Sequence, residues 1–164
     1  MVEVYVSIGS NIEREKNLRS AIGKLSERYG SLTMSKVYES KAIGFQGDNF
    51  FNQVVSFHTE DTPENVAATL REIEVLSGRS RGGKKFSSRA IDLDLLLYDD
   101  MISAGDTFSI PRAEITSNAY VLRPLAEIAG NRRHPMTGER FQDLWDAFDK
   151  TDQAIWPVAF SPSS

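Results

Sequence analysis

Apolar and polar positions alternate at the start of the chain, with Val2, Val4, Val6 and Ile8 set against Glu3, Tyr5 and Ser7. That period of two predicts a half-buried strand ending at Gly9-Ser10-Asn11, a triplet suited to turning the chain. The period then changes. Leu18, Ala21, Ile22, Leu25 and Tyr29 follow the i, i+3, i+4, i+7 stripe of an amphipathic helix running from about residue 13 to 29, with Gly30 at the position of a left-handed C-terminal residue. A β-prone stretch from Leu32 to Ser40, a loop at Gly44-Phe45-Gln46-Gly47-Asp48 and a second β-prone run from Phe50 to Thr59 predict a strand pair with a long connection. Thr62-Pro63-Glu64 supplies a cap residue, an N1 proline and a first-turn acid. These open a helix with Val66, Leu70, Ile73 and Leu76 on its apolar face and Gly78 at its end. Ile91, Leu93, Leu95 and Leu97 then alternate with Asp92 and Asp94, predicting a fourth, central strand.

The order βαββαβ is that of a ferredoxin-like α+β sandwich, in which two helices cover one face of an antiparallel sheet. Beyond residue 100 the pattern weakens to C-terminal additions: a short strand near Phe108 to Ile110 and helical stretches over Tyr120 to Ala129 and Phe141 to Phe148. No repeat or linker divides the chain, so residues 1–156 are expected to form a single domain, with 157–164 a loose tail.

Composition narrows the chemistry. At 164 residues, 40% hydrophobic and 26% charged, the chain is an ordinary globular one. A net charge of −4 argues against a polyanion partner, so no nucleic acid is expected. There is no cysteine, which removes disulfides, thiolate metal sites and cysteine nucleophiles together. The N-terminus has neither a basic region nor an apolar core of the secretory kind, and no run reaches membrane-spanning length; a cytoplasmic protein without membrane contact is expected. No long apolar stripe is left over after the two main helices, so a monomer is expected.

Charge is also segregated. Residues 79–89 hold Arg79, Arg81, Lys84, Lys85 and Arg89 without an acid, and residues 90–111 hold Asp92, Asp94, Asp99, Asp100 and Asp106 without a base. Such an abutment suits a phosphate chain held by arginines together with a divalent metal. Asp92 and Asp94 share a strand face, roughly 7 Å apart, and at an effective dielectric near 20 their charges repel by about 2 kcal/mol. Solvent at a sheet edge or magnesium would relieve that repulsion; Arg89, three residues upstream, favours magnesium. The segment from Gly78 to Lys85 departs from a P-loop, because lysine stands where a metal-ligating hydroxyl is needed and a helix precedes it. Phe50 can stack on a flat heterocycle, and Asn52, on the same face, can read its edge. His58 and His134 fall in no metal-ligand spacing and are expected to be structural or exposed.

Taken in order, Gly9-Ser10-Asn11, Val37-Tyr38-Glu39-Ser40, Phe50-Phe51-Asn52, Ile73-Glu74, Gly78-Arg79-Ser80-Arg81, Arg89-Ala90-Ile91-Asp92-Leu93-Asp94-Leu95 and the stretch from Val121 to Ala129 make the chain similar to the 6-hydroxymethyl-7,8-dihydropterin pyrophosphokinase family over residues 2 to about 145. The resemblance implies transfer of pyrophosphate from ATP to a pterin hydroxymethyl group in folate biosynthesis, with AMP released. It implies that Asp92 and Asp94 hold two Mg2+ ions, that Arg79 and Arg89 meet the phosphates and that Arg81 lies in a catalytic loop. It also implies that Phe50 and Tyr120 sandwich the pterin, that Asn52 and the loop from Ser40 to Ile43 read its edge, and that Glu74 lies along the ATP site. The chain departs from the family pattern at Arg112, Asn118, Phe86, Ser87 and Ser88; Arg112, with Arg123 nearby, is expected to restore a cation at the nucleotide. The alternative is a diverged, non-catalytic pterin- or nucleotide-binding protein of the same fold. An RNA-binding βαββαβ module would need aromatics where this chain carries its aspartates.

Overall fold

A computed structural model describes residues 1–41, 47–77, 91–106 and 108–161. In chain order the elements are β1 (Val2–Ser10), α1 (Arg14–Tyr29), β2 (Thr33–Met34), β3 (Val37–Ser40), β4 (Phe50–Thr59), α2 (Pro63–Leu76), β5 (Asp92–Tyr98), β6 (Ser103–Ala104), β7 (Ser109–Ile110), α3 (Glu114–Ser117), α4 (Ala119–Ala129), α5 (Phe141–Ala147) and β8 (Ile155–Val158). The main sheet is ordered β5-β1-β4-β3-β8, with β2 beside β4 and every pairing antiparallel. Its first four members are the expected ferredoxin-like arrangement, and β8 adds a strand at the β3 edge.

The sheet is buried on both faces. On one, Val4, Val6, Ile8, Phe51, Val55, Phe57, Leu93 and Leu95 pack against Leu18, Ile22 and Leu25 of α1 and Val66, Leu70 and Ile73 of α2. On the other, Tyr5, Val54, Leu96 and Leu97 pack against α4 and Phe141 of α5. That second layer explains why β1, read as half-buried, has Tyr5 and Ser7 buried as well. α2 starts as its sequence dictates: the Thr62 hydroxyl accepts from the Asn65 amide at 3.1 Å, and Pro63 opens the first turn. Leu76, expected on the apolar face, is 70% exposed, because the helix overruns its contacts in its last turn.

Three further expectations are corrected. The segment from Leu32 to Ser40 is two short strands, interrupted where Ser35 turns its hydroxyl to accept from the Val54 amide at 3.0 Å. Among the described residues β5 is an edge strand, not a central one; its leucines are buried by the two layers above and below it, not by strands on both sides. Its alternation also breaks. Tyr5 pairs with Leu97 and Val6 with Leu95, so Leu96 is an extra residue and Leu97 crosses to the α4 side. Finally, the tail expected to be loose from Pro157 contributes Pro157 and Val158 to β8, and Phe160 lies under the Arg19 guanidinium at 5.0 Å. Gly30 has the positive φ expected of it, 82°, but its ψ of −137° is outside the left-handed helical region. Among the described residues no helix is long and apolar enough to cross a membrane.

Candidate active site

The ladder register decides what meets on the α4 face of the sheet. Residues paired directly across antiparallel strands share a face. Gly9 of β1 pairs with Asp92 on one side and Asn52 on the other, Asn52 pairs with Tyr38, and Ser7 pairs with both Asp94 and Val54. Asp92, Gly9 and Asn52 therefore form one row across the sheet, with Asp94 one step further along β5. Gly9 offers a bare floor between the two functional side chains: a Cβ there would sit 3.8 Å from Asn52 Oδ1 and 3.9 Å from the Phe50 ring.

At the Asn52 end the geometry is fixed. The Asn52 amide nitrogen donates to Ser40 Oγ at 2.8 Å and to the Tyr38 carbonyl at 3.2 Å, which leaves Oδ1 on the Gly9 side. Asn52 and Ser40 are buried, while Phe50 and Tyr120 are half-exposed. Ser40 and Tyr120 line one cavity of about 440 Å³, closed on its far side by the segment leading into β8.

At the carboxylate end, Asp92 and Asp94 are both half-exposed, Asp94 keeping 32% of its side chain accessible. Burial pushes the Asp94 carboxyl up from the usual carboxylate range, Arg112 pulls it down, and Glu74 pushes it up again. Arg112 is 3.5 Å from Asp94 but 3.1 Å from Glu114, so its charge is shared. Two hard oxygen donors on one accessible face suit Mg2+, which takes one or two carboxylates and completes its shell with phosphate oxygens and water. Among the described residues no three carboxylate or imidazole groups gather at one point.

Glu74 stands behind this pair. It is 1% exposed, accepts from the Leu93 amide at 2.9 Å and from Arg71 at 2.7 Å, and so satisfies a backbone donor on the open edge of β5. The Arg112 amide does the same for the Leu96 carbonyl at 3.1 Å. Arg71 was missed in the sequence; Glu74 holds it where it feels the charges of both aspartates. Only the i, i+3 relation of Arg71 to Glu74 hinted at it. Tyr120 links the two ends, since burial raises its hydroxyl pKa and the Glu114, Asp94 and Asp92 charges raise it further. Arg123, the other cation expected here, is directed elsewhere: it donates to the Ile155 carbonyl at 3.0 Å and lies over the Tyr38 ring at 4.8 Å. Ile43, Arg79, Arg81, Phe86, Ser87, Ser88 and Arg89 lie outside the described residues.

Comparison with known proteins points the same way. The family model described as 7,8-dihydro-6-hydroxymethylpterin-pyrophosphokinase (HPPK) matches residues 5–130. The 2-amino-4-hydroxy-6-hydroxymethyldihydropteridine pyrophosphokinase of Aquifex aeolicus is 34% identical over 138 residues, covering 83% of this chain and 86% of that protein. The Folic acid synthesis protein fol1 of Pneumocystis carinii is 36% identical over 158 residues, covering 94% of this chain but only 21% of that protein. Among solved structures, a triple mutant of Plasmodium falciparum HPPK-DHPS with pteroate has a TM-score of 0.71 at 13% identity, covering 88% of this chain and 43% of that one, a likeness of fold. The chain thus spans a fifth of the fungal protein and less than half of the Plasmodium one.

Proposed function

This chain belongs to the 7,8-dihydro-6-hydroxymethylpterin-pyrophosphokinase family, and on that premise we propose that it transfers pyrophosphate from MgATP to 6-hydroxymethyl-7,8-dihydropterin in folate biosynthesis. The hydroxymethyl oxygen attacks the β-phosphorus of ATP. A new O–P bond forms, the bond from the β-phosphorus to the α,β-bridging oxygen breaks, AMP leaves with that oxygen, and the alcohol proton passes to water. The observation that supports this reading is the row Asp92, Gly9, Asn52, because it sets an amide able to read a heterocycle and a carboxylate able to take a metal on one face with only a glycine between them.

In this reading Asp92 and Asp94 hold two Mg2+ ions, which when bound neutralise and align the triphosphate. Phosphoryl-type transfer depends on positioning and charge neutralisation, so no covalent nucleophile is required. Asn52 and Ser40 read the pterin edge, and the rings of Phe50 and Tyr120 flank its faces. Arg112 faces the phosphates beside Asp94, and Arg79, Arg81 and Arg89 supply the remaining cations. Glu74 acts on the ATP side by fixing Arg71 and the start of β5. The chain, with β8 as part of its one domain, works as a cytoplasmic monomer on two small molecules.

The test is product analysis of the full chain with ATP, Mg2+ and hydroxymethyldihydropterin. Equimolar AMP and pterin pyrophosphate are expected. ADP would mean monophosphoryl transfer, and pterin binding without AMP would mean a non-catalytic binder; either result overturns the proposal.

A further inference from the structure

Residues 151–155 lie beyond the part of the chain that the family model matches, yet they close the cavity that Ser40 and Tyr120 open. One of their side chains, Gln153, reaches the start of α4. Gln153 Oε1 accepts from the Ala119 amide at 2.8 Å, and Gln153 Nε2 donates to the Ser117 carbonyl at 3.0 Å. The first amides of a helix lack partners within it, and a side-chain oxygen from the preceding residue usually supplies one. Asn118 occupies that place but makes no capping bond; its amide nitrogen donates instead to the Tyr120 hydroxyl at 3.0 Å. Gln153, 34 residues downstream of Ala119, caps the helix in place of Asn118.

The same segment is locked on its other side. Ile155 pairs with Ser40 in the sheet, and its carbonyl accepts from Arg123 of α4 at 3.0 Å. Ser40, which accepts from Asn52, and Tyr120 are therefore held at a set distance by a strand that the ferredoxin-like core does not contain.

We propose that Gln153 is a positioning residue of the pterin cleft: it sets the start of α4, and with it the Tyr120 ring, against Ser40 and Asn52, making residues 151–155 a wall that determines how tightly a flat bicyclic substrate is held. This rests on the pterin reading of the cleft. It assigns substrate affinity, not the chemistry of transfer, to the C-terminal addition.

The experiment compares the full-length protein with Gln153→Met, which keeps length and loses both bonds, and Gln153→Glu, which keeps the acceptor for Ala119. Affinity for 6-hydroxymethylpterin is measured by fluorescence titration, affinity for a non-hydrolysable MgATP analogue in parallel, and exchange of the Ala119 amide without ligand. Gln153→Met is expected to weaken pterin binding about tenfold, to leave nucleotide affinity within about twofold and to speed Ala119 exchange, while Gln153→Glu recovers part of both changes. Unchanged pterin affinity in Gln153→Met, or equal loss of both ligands, would overturn the proposal. Should the unsubstituted protein bind no pterin, the functional reading fails; unchanged Ala119 exchange in Gln153→Met would separately overturn the role of Gln153 in setting the helix.

Discussion

Asn52 on β4 and Asp92 on β5 stand in a single transverse row, each in register with Gly9 on the strand between them. With strands about 4.8 Å apart, the two side chains rise roughly 10 Å from one another over a surface that carries no side chain of its own. A pterin reaching from Asn52 toward the aspartates would lie across that gap.

Filling the gap is therefore expected to separate binding from folding. Gly9 has ordinary backbone torsions and room for a Cβ at van der Waals distance from Asn52 and Phe50. Gly9→Val should fold with stability within about 1 kcal/mol of the parent, since valine suits a strand. It should weaken pterin binding by at least about tenfold, because branched methyl groups would occupy the floor. Denaturant unfolding and pterin titration check the two halves.

Asn52 faces an opposite constraint. Its nitrogen serves Ser40 and the Tyr38 carbonyl, so Asn52→Asp replaces a donor with an acceptor facing a buried carbonyl. A loss of about 1–3 kcal/mol in unfolding free energy is expected, together with loss of pterin binding. Asn52→Asp that bound pterin normally would show that the amide does not read the heterocycle.

Behind the carboxylates, Glu74→Ala should leave the Leu93 amide without its acceptor and release Arg71. About 2 kcal/mol of destabilisation is expected, with weaker MgATP binding, because the strand bearing Asp92 and Asp94 loses its edge support. Glu74→Gln keeps an acceptor for Leu93 and should recover most of the stability but not the hold on Arg71. Thermal melts and nucleotide titration distinguish the two variants.

The fold also carries a pH signature away from the site. His134 is 6% exposed, burial lowers its pKa from 6.5, and its Nδ1 accepts from the Met136 amide at 3.1 Å. The folded protein thus binds this proton less readily than the unfolded chain does. The corresponding stability is fully present above pH 6.5 and is lost as pH falls from there through the lowered value. In His134→Gln the slope of unfolding free energy against pH in that window should flatten.

Much of this was legible in the sequence, for identifiable reasons. The period-two run from Val2 to Ile8 and the capping signal at Thr62-Pro63 are local, and the structure keeps both. The Asp92-Leu93-Asp94 triplet fixed two carboxylates to one strand face whatever the strand's place in the sheet. What escaped depends on long-range pairing. Leucine density in β5 is the same whether strands or helical layers bury it, so its edge position was hidden, and Leu96 broke the alternation only through its register against Tyr5 and Val6. Pro157 and Val158 pair with Tyr38 and Val37, a long-range contact that no local pattern announces, and an added edge strand tolerates the proline. Arg71 and Gln153 act through partners that their own neighbourhoods in sequence do not announce.

The most direct measurement of pyrophosphoryl transfer at the aspartate pair is AMP formation by the unsubstituted protein and by Asp94→Asn, with pterin affinity and apo-protein stability measured alongside. Removing a carboxylate that burial and Glu74 disfavour should leave the unliganded fold as stable or more so, and pterin affinity should stay within about twofold. AMP formation should fall at least about a hundredfold. A variant that released AMP at the parent's rate, or a parent that released none, would contradict the assignment of transfer to this pair.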